Sequence, residues 1–108
     1  MKPVFYSALA HRDISDTVLY YQKEAGIVVA NDFVDSLEEV IERIAAWPSS
    51  GSPRFSELLR LPGLRSWKLS RFPYLIFTME LPDRITVMRI LHERRDIPST
   101  LQASLDEY

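Results

Sequence analysis

Between residues 29 and 44, apolar side chains recur every three or four positions: Val29, Phe33, Leu37, Val40, Ile41 and Ile44. The residues on the opposite side are mostly acidic, which is typical of an amphipathic helix with one buried face and one solvated face. Pro48 predicts the end of this helix. Trp47, at the end of the apolar stripe, is therefore expected to belong to the core.

A second stripe with the same spacing precedes this helix: Ala10, Ile14, Val18, Tyr21 and Ala25. Ser7 is a suitable N-cap for it and Gly26 a suitable stop. Because only a few residues separate the two stripes, they predict an antiparallel helix hairpin. The β-favouring side chains of Lys2–Tyr6 predict a short strand before the hairpin.

The second half of the chain has the pattern of β-strands. The predicted strands are Leu64–Ser70, Tyr74–Leu81 and Ile85–His92, and Pro48–Pro62 is expected to be irregular because turn formers fill its first part. Three strands with short links predict an antiparallel meander. The fold is expected to be a single α+β domain over residues 1–108, in the order β-α-α-β-β-β with a short C-terminal tail and a mainly antiparallel sheet.

The predicted strands are apolar on both faces, which a sheet covered on one side does not need. Alternation along the third strand places Ile85, Val87 and Leu91 on one side and Met88 and Ile90 on the other. The second face therefore requires a cover. We expect the tail Ile97–Tyr108 to supply part of it, and a partner protein is a possible source of the rest.

Composition excludes several classes of function. The chain has no cysteine, two histidines and three glycines, so disulfide scaffolds, a multi-histidine metal centre and a glycine-rich phosphate loop are not expected. We expect no metal and no cofactor. No apolar run approaches the length of a membrane span, and the N-terminus does not resemble a secretory signal. A cytoplasmic protein is the simplest expectation.

The formal net charge of −2 conceals an uneven distribution. Residues 1–53 carry four basic and eight acidic side chains, whereas residues 54–95 carry nine basic and four acidic ones. The candidate binding set in this basic part is Arg65, Lys68, Arg71, Arg89, Arg94 and Arg95. Such a set could bind RNA phosphates or an acidic protein partner, or it could be an ordinary solvated sheet edge. Asp96 is expected to pair with a neighbouring arginine and hold the turn.

Other residue types give weaker signals. His92, at the end of the third predicted strand, could act as a general acid or base, but no second titratable group accompanies it at a convincing spacing, which favours a structural role. Trp67 could stack on a base or lie in the core.

Several stretches together resemble a known family. Tyr6 and Ser7 close the first strand, residues 72–77 read Phe-Pro-Tyr-Leu-Ile-Phe, and residues 89–98 contain Leu91, His92, Arg95 and Asp96. This layout resembles the RelE/ParE superfamily of toxins from bacterial toxin–antitoxin modules, and most closely its ParE branch, over nearly the whole chain.

The resemblance to the ParE branch implies a non-catalytic toxin that poisons DNA gyrase, is neutralised by a cognate antitoxin (ParD-like or similar) and helps to stabilise a plasmid or genome. The RelE branch instead cleaves mRNA in the ribosomal A site, and the corresponding catalytic interpretation here involves Lys68, Arg94 and His92. However, Leu75 stands where that branch has an arginine, and Thr100 lies near the position of its tyrosine. Gyrase poisoning is therefore preferred, with mRNA cleavage second and an inactive binding module third.

Overall fold

A computed structural model describes residues 1–105. The elements are β1 (Val4–Tyr6), α1 (Ala8–Glu24), α2 (Ile27–Ala46), a 3₁₀ turn (Pro48–Ser50), α3 (Arg54–Leu59), β2 (Leu64–Lys68), β3 (Tyr74–Glu80), β4 (Ile85–His92) and α4 (Ile97–Leu105). The strands form one sheet in the order β1-β4-β3-β2. β1 runs parallel to β4, and the other neighbours are antiparallel. The predicted α+β fold is confirmed; β4 has the predicted bounds, and the other strands are one or two residues shorter.

The helix hairpin begins at Ser7 and turns at Gly26, as the sequence predicts. The Ser7 hydroxyl accepts a hydrogen bond from the Ala10 N–H at 3.0 Å and caps α1. The same hydroxyl donates to the Met88 carbonyl at 2.7 Å, which ties the start of α1 to β4. Between the helices Gly26 has a φ of 94°, a conformation that favours glycine. The hairpin therefore lies against the sheet as an anchored unit.

A cluster of aromatic side chains lies in the core between the hairpin and the sheet. The Phe33 ring is fully buried, and its centroid lies 5.5–5.7 Å from those of Tyr21, Phe72 and Tyr74. Burial raises the pKa of Tyr21 to about 12, with a further contribution from the neighbouring Tyr74 hydroxyl. This cluster joins both helices to the start of β3.

The second face of the sheet is covered by α3 and α4, which pack on Phe77, Met88 and Leu91. The Phe55 ring of α3 lies 5.3 Å from that of Phe77, and α4 buries Ile97 and Leu101. The predicted tail is thus a helix that contributes to the cover, although residues 106–108 lie outside the described part of the chain. The prediction of an irregular segment 48–62 was wrong for residues 54–59, which form α3; a helix of six residues is too short to show a clear periodicity.

A β-bulge in β4 changes which side chains face the hairpin. Phe77 pairs with Arg89, but the next residue, Thr78, pairs with Val87, so Met88 is an extra residue in β4. Beyond the bulge the alternation shifts by one position. Ile90 therefore packs on the hairpin side and Leu91 on the α3–α4 side. The predicted faces of these two residues were wrong because the prediction assumed regular alternation.

The two tryptophans occupy opposite environments. Trp47 is 68% exposed, because α2 ends at Ala46 and the chain turns away, so its predicted place in the core was wrong. Trp67 is buried, and its Nε1 donates to the Thr78 hydroxyl at 3.1 Å. A Cβ atom on Gly51 would lie only 2.6 Å from the Trp67 ring, which shows how closely the segment before α3 packs on β2.

Candidate partner-binding groove

A groove of about 700 Å³ lies where β2 and β4 end and β3 begins. It brings together Lys68, Arg94 and Arg95 from the predicted set, and it adds Arg54, which sequence reasoning missed because α3 was not predicted. In the antiparallel meander the ends of β2 and β4 lie at the same edge of the sheet, and the Lys68 Nζ lies 3.8 Å from Glu93 Oε2. The cationic side chains of this groove are largely exposed to solvent.

The turn that presents Arg94 and Arg95 is held by backbone hydrogen bonds. The Arg95 N–H donates to the His92 carbonyl at 3.0 Å, and the Glu93 N–H donates to the Pro73 carbonyl at 2.9 Å. The second bond joins the turn to the β2–β3 connection. The two guanidinium groups therefore project from an ordered backbone, which lowers the entropy lost when a partner binds.

Apolar side chains accompany the cations in the groove. Leu58 of α3 is 60% exposed, and Leu75 of β3 lines the same surface. The groove therefore combines apolar and charged surface, as protein-binding surfaces do. Nothing in the sequence singled out Leu58, because its place in the same groove as Lys68 depends on the short helix α3.

Asp96 holds the start of α4. Its Oδ2 accepts a hydrogen bond from the Ser99 hydroxyl at 2.8 Å, and its Oδ1 accepts from the Ser99 N–H at 3.3 Å. Among residues 1–105 Asp96 has no ion pair with an arginine, so the prediction of such a pair was wrong. At the N-terminus of α4, the Asp96 carboxylate instead accepts hydrogen bonds from a backbone N–H and a hydroxyl group. Arg94 and Arg95 are consequently not neutralised by it.

Arg89 lies apart from this groove in a buried ion pair. Its Nε and Nη2 donate to the two carboxylate oxygens of Asp13 at 2.8 and 2.9 Å, and the side chains of Arg89 and Asp13 are only 11% and 10% exposed. The Ile90 N–H donates to the same carboxylate at 2.9 Å, and Arg89 Nη1 donates to the Ser104 hydroxyl of α4. Arg89 thus joins β4 to α1 and α4.

Arg65 and Arg71 also lie away from the groove. Arg65 and Lys68 are three positions apart in β2, so they point to opposite faces of the sheet. Arg65 lines a different cavity of about 300 Å³ near Glu80 and Lys2. Arg71 is exposed in the connection between β2 and β3. The structure therefore separates the predicted set of six residues into several locations.

His92 is engaged with its own turn. Its Nδ1 accepts a hydrogen bond from the Arg94 N–H at 3.1 Å, and its ring lies edge-on to Tyr74 with centroids 5.1 Å apart. With Nδ1 as an acceptor, the neutral ring carries its proton on Nε2. These contacts help to fix the conformation of the turn from which Arg94 projects.

Residues 1–105 contain no group of three or more His, Asp or Glu side chains that could hold a metal ion. Within the same residues, no helix is long and apolar enough to cross a membrane.

Three comparisons relate the chain to known proteins. A search of curated protein sequences gives no match. Among solved structures, a chain described as the chromosomal ParDE TA system from P. aeruginosa superposes with a TM-score of 0.70 at 21% sequence identity, over 85% of this chain and 96% of that chain. A family model described as the ParE toxin of the type II toxin–antitoxin system, parDE, matches residues 4–97. The chain therefore belongs to the ParE toxin family of type II toxin–antitoxin systems.

Proposed function

We propose that this chain is a toxin that acts in the bacterial cytoplasm by poisoning DNA gyrase and is neutralised by a cognate antitoxin. The observation that carries the proposal is the groove in which Lys68, Arg94 and Arg95 lie beside exposed Leu58 and partly exposed Leu75. Such a surface suits recognition of an acidic, partly apolar protein segment. The antitoxin and the target are both candidates for contact with it.

The same groove gives little support to RNA cleavage. A metal-free ribonuclease needs groups that activate the 2′-hydroxyl and stabilise a charged phosphorane. Leu75 lines the groove at the position where the RNA-cleaving branch has an arginine. Thr100 lies within α4, and its hydroxyl donates to the Asp96 carbonyl at 2.8 Å. His92 Nδ1 is already bonded to the Arg94 N–H. We therefore place ribosome-dependent mRNA cleavage second.

The proposed antitoxin contact is a peptide laid along the groove. An extended or helical segment with carboxylates facing Lys68, Arg94 and Arg95, and apolar side chains facing Leu58 and Leu75, would match the groove in charge and polarity. On the second face of the sheet α3 and α4 leave Phe5 of β1 54% exposed, so the antitoxin could extend this cover. The net charge of the antitoxin segment is expected to be negative.

Induced expression in a bacterium tests the proposed target. We expect growth to stop with gyrase-trapped DNA breaks, detected as protein-linked DNA, while mRNAs stay intact. A triple variant with Lys68, Arg94 and Arg95 replaced by alanine should lose the effect and keep its circular dichroism spectrum. Arg84→Ala, which changes an arginine outside the groove, is the matched control. If mRNAs are cut at A-site codons before DNA breaks appear, the second function is correct. If the wild-type chain has no effect on growth, the inactive-module interpretation is correct.

A further inference from the structure

A second basic groove, of about 460 Å³, lies between the N-terminal part of α1 and α4. Three guanidinium groups line it: Arg12 from α1, Arg89 from β4 and Arg95 from the turn before α4. Leu9 and Ala103 give it an apolar part. Its volume falls within the range of small-ligand sites, about 300–1,000 Å³.

Among residues 1–105, acidic side chains compensate only part of the positive charge of this groove. Arg89 is paired with Asp13. Arg12 and Arg95 are exposed, and within residues 1–105 no carboxylate lies within 4.0 Å of either guanidinium. Asp96, the nearest acidic residue in sequence to Arg95, is bonded to Ser99. Two cations on one concave surface repel each other, and an anion bound between them would relieve the repulsion.

The donor chemistry favours a phosphate group over a single carboxylate. Each guanidinium presents up to five N–H donors in a planar fork, so Arg12 and Arg95 together offer more donors than the two oxygens of one carboxylate can use. A phosphate offers three or more acceptor oxygens and forms bidentate bonds with arginine. We propose that the groove between α1 and α4 binds a phosphate group through Arg12 and Arg95.

The proposed phosphate has two possible sources, a free phosphorylated small molecule or the backbone of DNA. Arg95 lines both this groove and the partner-binding groove, so a ligand in one site lies next to the other. A polymer of phosphates could contact Arg12 and Arg95 and continue towards Arg94. The overall charge of −2 opposes general attraction to nucleic acid, so any binding depends on these local side chains. The proposal does not depend on gyrase as the target.

Titration at low salt tests the proposal. Amide chemical shifts of the full chain would be followed during addition of inorganic phosphate, and binding of a fluorescent 20-base-pair duplex would be measured by anisotropy between about 30 and 200 mM salt. We expect phosphate to shift the amides around Arg12 and Arg95. Arg12→Gln should weaken phosphate binding several-fold and, if the duplex binds, lower its salt slope by about one unit. Binding of phosphate without the duplex supports a free ligand, and binding of both supports the DNA backbone.

The control is Arg84→Gln, which removes the same charge from the turn at the other end of β4. It should leave both titrations unchanged. The proposal is overturned if neither probe binds, or if Arg84→Gln weakens binding as much as Arg12→Gln does, since net charge alone would then explain the effect. It is also overturned if poly-glutamate of equal charge displaces the duplex or phosphate equally well, because an acidic peptide would then be an equally good ligand.

Discussion

Arg89 and the pair Arg94–Arg95 are separated by only a few residues, yet the structure places them in opposite environments. The Arg89 guanidinium is nearly buried and bonded to both oxygens of Asp13. Arg94 and Arg95 extend from an exposed turn along a groove. Arg89 joins three elements of the fold through its ion pair with Asp13 and its hydrogen bond to Ser104, whereas the groove arginines are exposed to solvent.

This difference teaches that a run of arginines in a sequence does not by itself identify a binding surface. A buried cation must have a carboxylate partner, because the cost of removing it from water is otherwise too large. An exposed cation has no such requirement and contributes little to folding. Substitution of Arg89 should therefore mainly lower the stability of the fold. Substitution of Arg94 or Arg95 should mainly weaken binding to a partner.

The largest expected effect on stability comes from Arg89→Ala. It would leave the Asp13 carboxylate buried without its cation, and the free energy of unfolding should fall by about 3–5 kcal/mol. Urea denaturation followed by circular dichroism measures this change. Arg94→Ala, the matched surface control, should stay within about 0.5 kcal/mol of the wild type. Equal losses for the two variants would remove the distinction between the two sites.

A comparison of leucines extends the contrast to apolar side chains. Leu101 of α4 is buried on the second face of the sheet, whereas Leu58 is exposed in the partner-binding groove. Leu101→Ala should lower the free energy of unfolding by about 2–5 kcal/mol, because it leaves a cavity beneath α4. Leu58→Ala should change it by less than about 0.5 kcal/mol. If Leu101→Ala is silent, α4 does not cover the sheet as the structure shows.

The raised pKa of Tyr21, a core residue, predicts that the stability of the fold depends on pH in the alkaline range. Its pKa is raised to about 12, so the folded state holds the hydroxyl proton more tightly than the unfolded state, where the pKa is near 10. The contribution to stability is complete below pH 10 and is lost as the pH rises towards 12. Tyr21→Phe should make this decline shallower, and some decline should remain because burial also raises the pKa of Tyr6.

The matched control for Tyr21 is the adjacent Tyr20, which is exposed on the same helix. Tyr20→Phe should keep most of the alkaline decline when thermal unfolding is followed between pH 8 and 11.5, because Tyr20 makes only the smallest contribution to the raised pKa of Tyr21. A decline of the same steepness in Tyr21→Phe and the wild type would show that the Tyr21 proton is not held by the core.

Only a small effect on stability is expected at Lys68. Its contact with Glu93 spans 3.8 Å between largely exposed side chains. Lys68→Ala should therefore cost at most about 1 kcal/mol, and less at high salt. Urea denaturation at two salt concentrations measures both changes. A larger, salt-independent loss would mean that Lys68 has a structural role like that of Arg89.

Regular periodicity explains why much of the fold could be predicted from the sequence. The stripe through Phe33 and Leu37 predicted α2, and the β-favouring run Ile85–His92 predicted β4 with its observed bounds. The errors lie where the chain departs from a regular repeat. The bulge at Met88 exchanged the faces of Ile90 and Leu91, and the end of α2 turned Trp47 towards solvent.

Burial and long-range pairing explain why the site could be predicted only in part. The approach of β2 and β4 placed Lys68 near Arg94 and Arg95, as the strand order implied. Nothing in the sequence distinguished Arg89 from these residues, because its partner Asp13 lies 76 positions away. Arg54 and Leu58 were missed because the short helix α3 carries no clear sequence signal.

A cleavage assay with purified components tests the proposed function most directly. The toxin would be incubated with DNA gyrase, ATP and supercoiled plasmid, and trapped breaks would be measured as linear DNA after protein digestion. We predict that the wild-type chain and Arg84→Ala produce linear DNA. A variant with both Arg94 and Arg95 replaced by alanine should need about tenfold more protein for the same yield, which corresponds to ~1.4 kcal/mol of lost contact energy. Absence of trapped DNA with the folded wild-type chain at all concentrations would contradict the proposal that this chain poisons DNA gyrase.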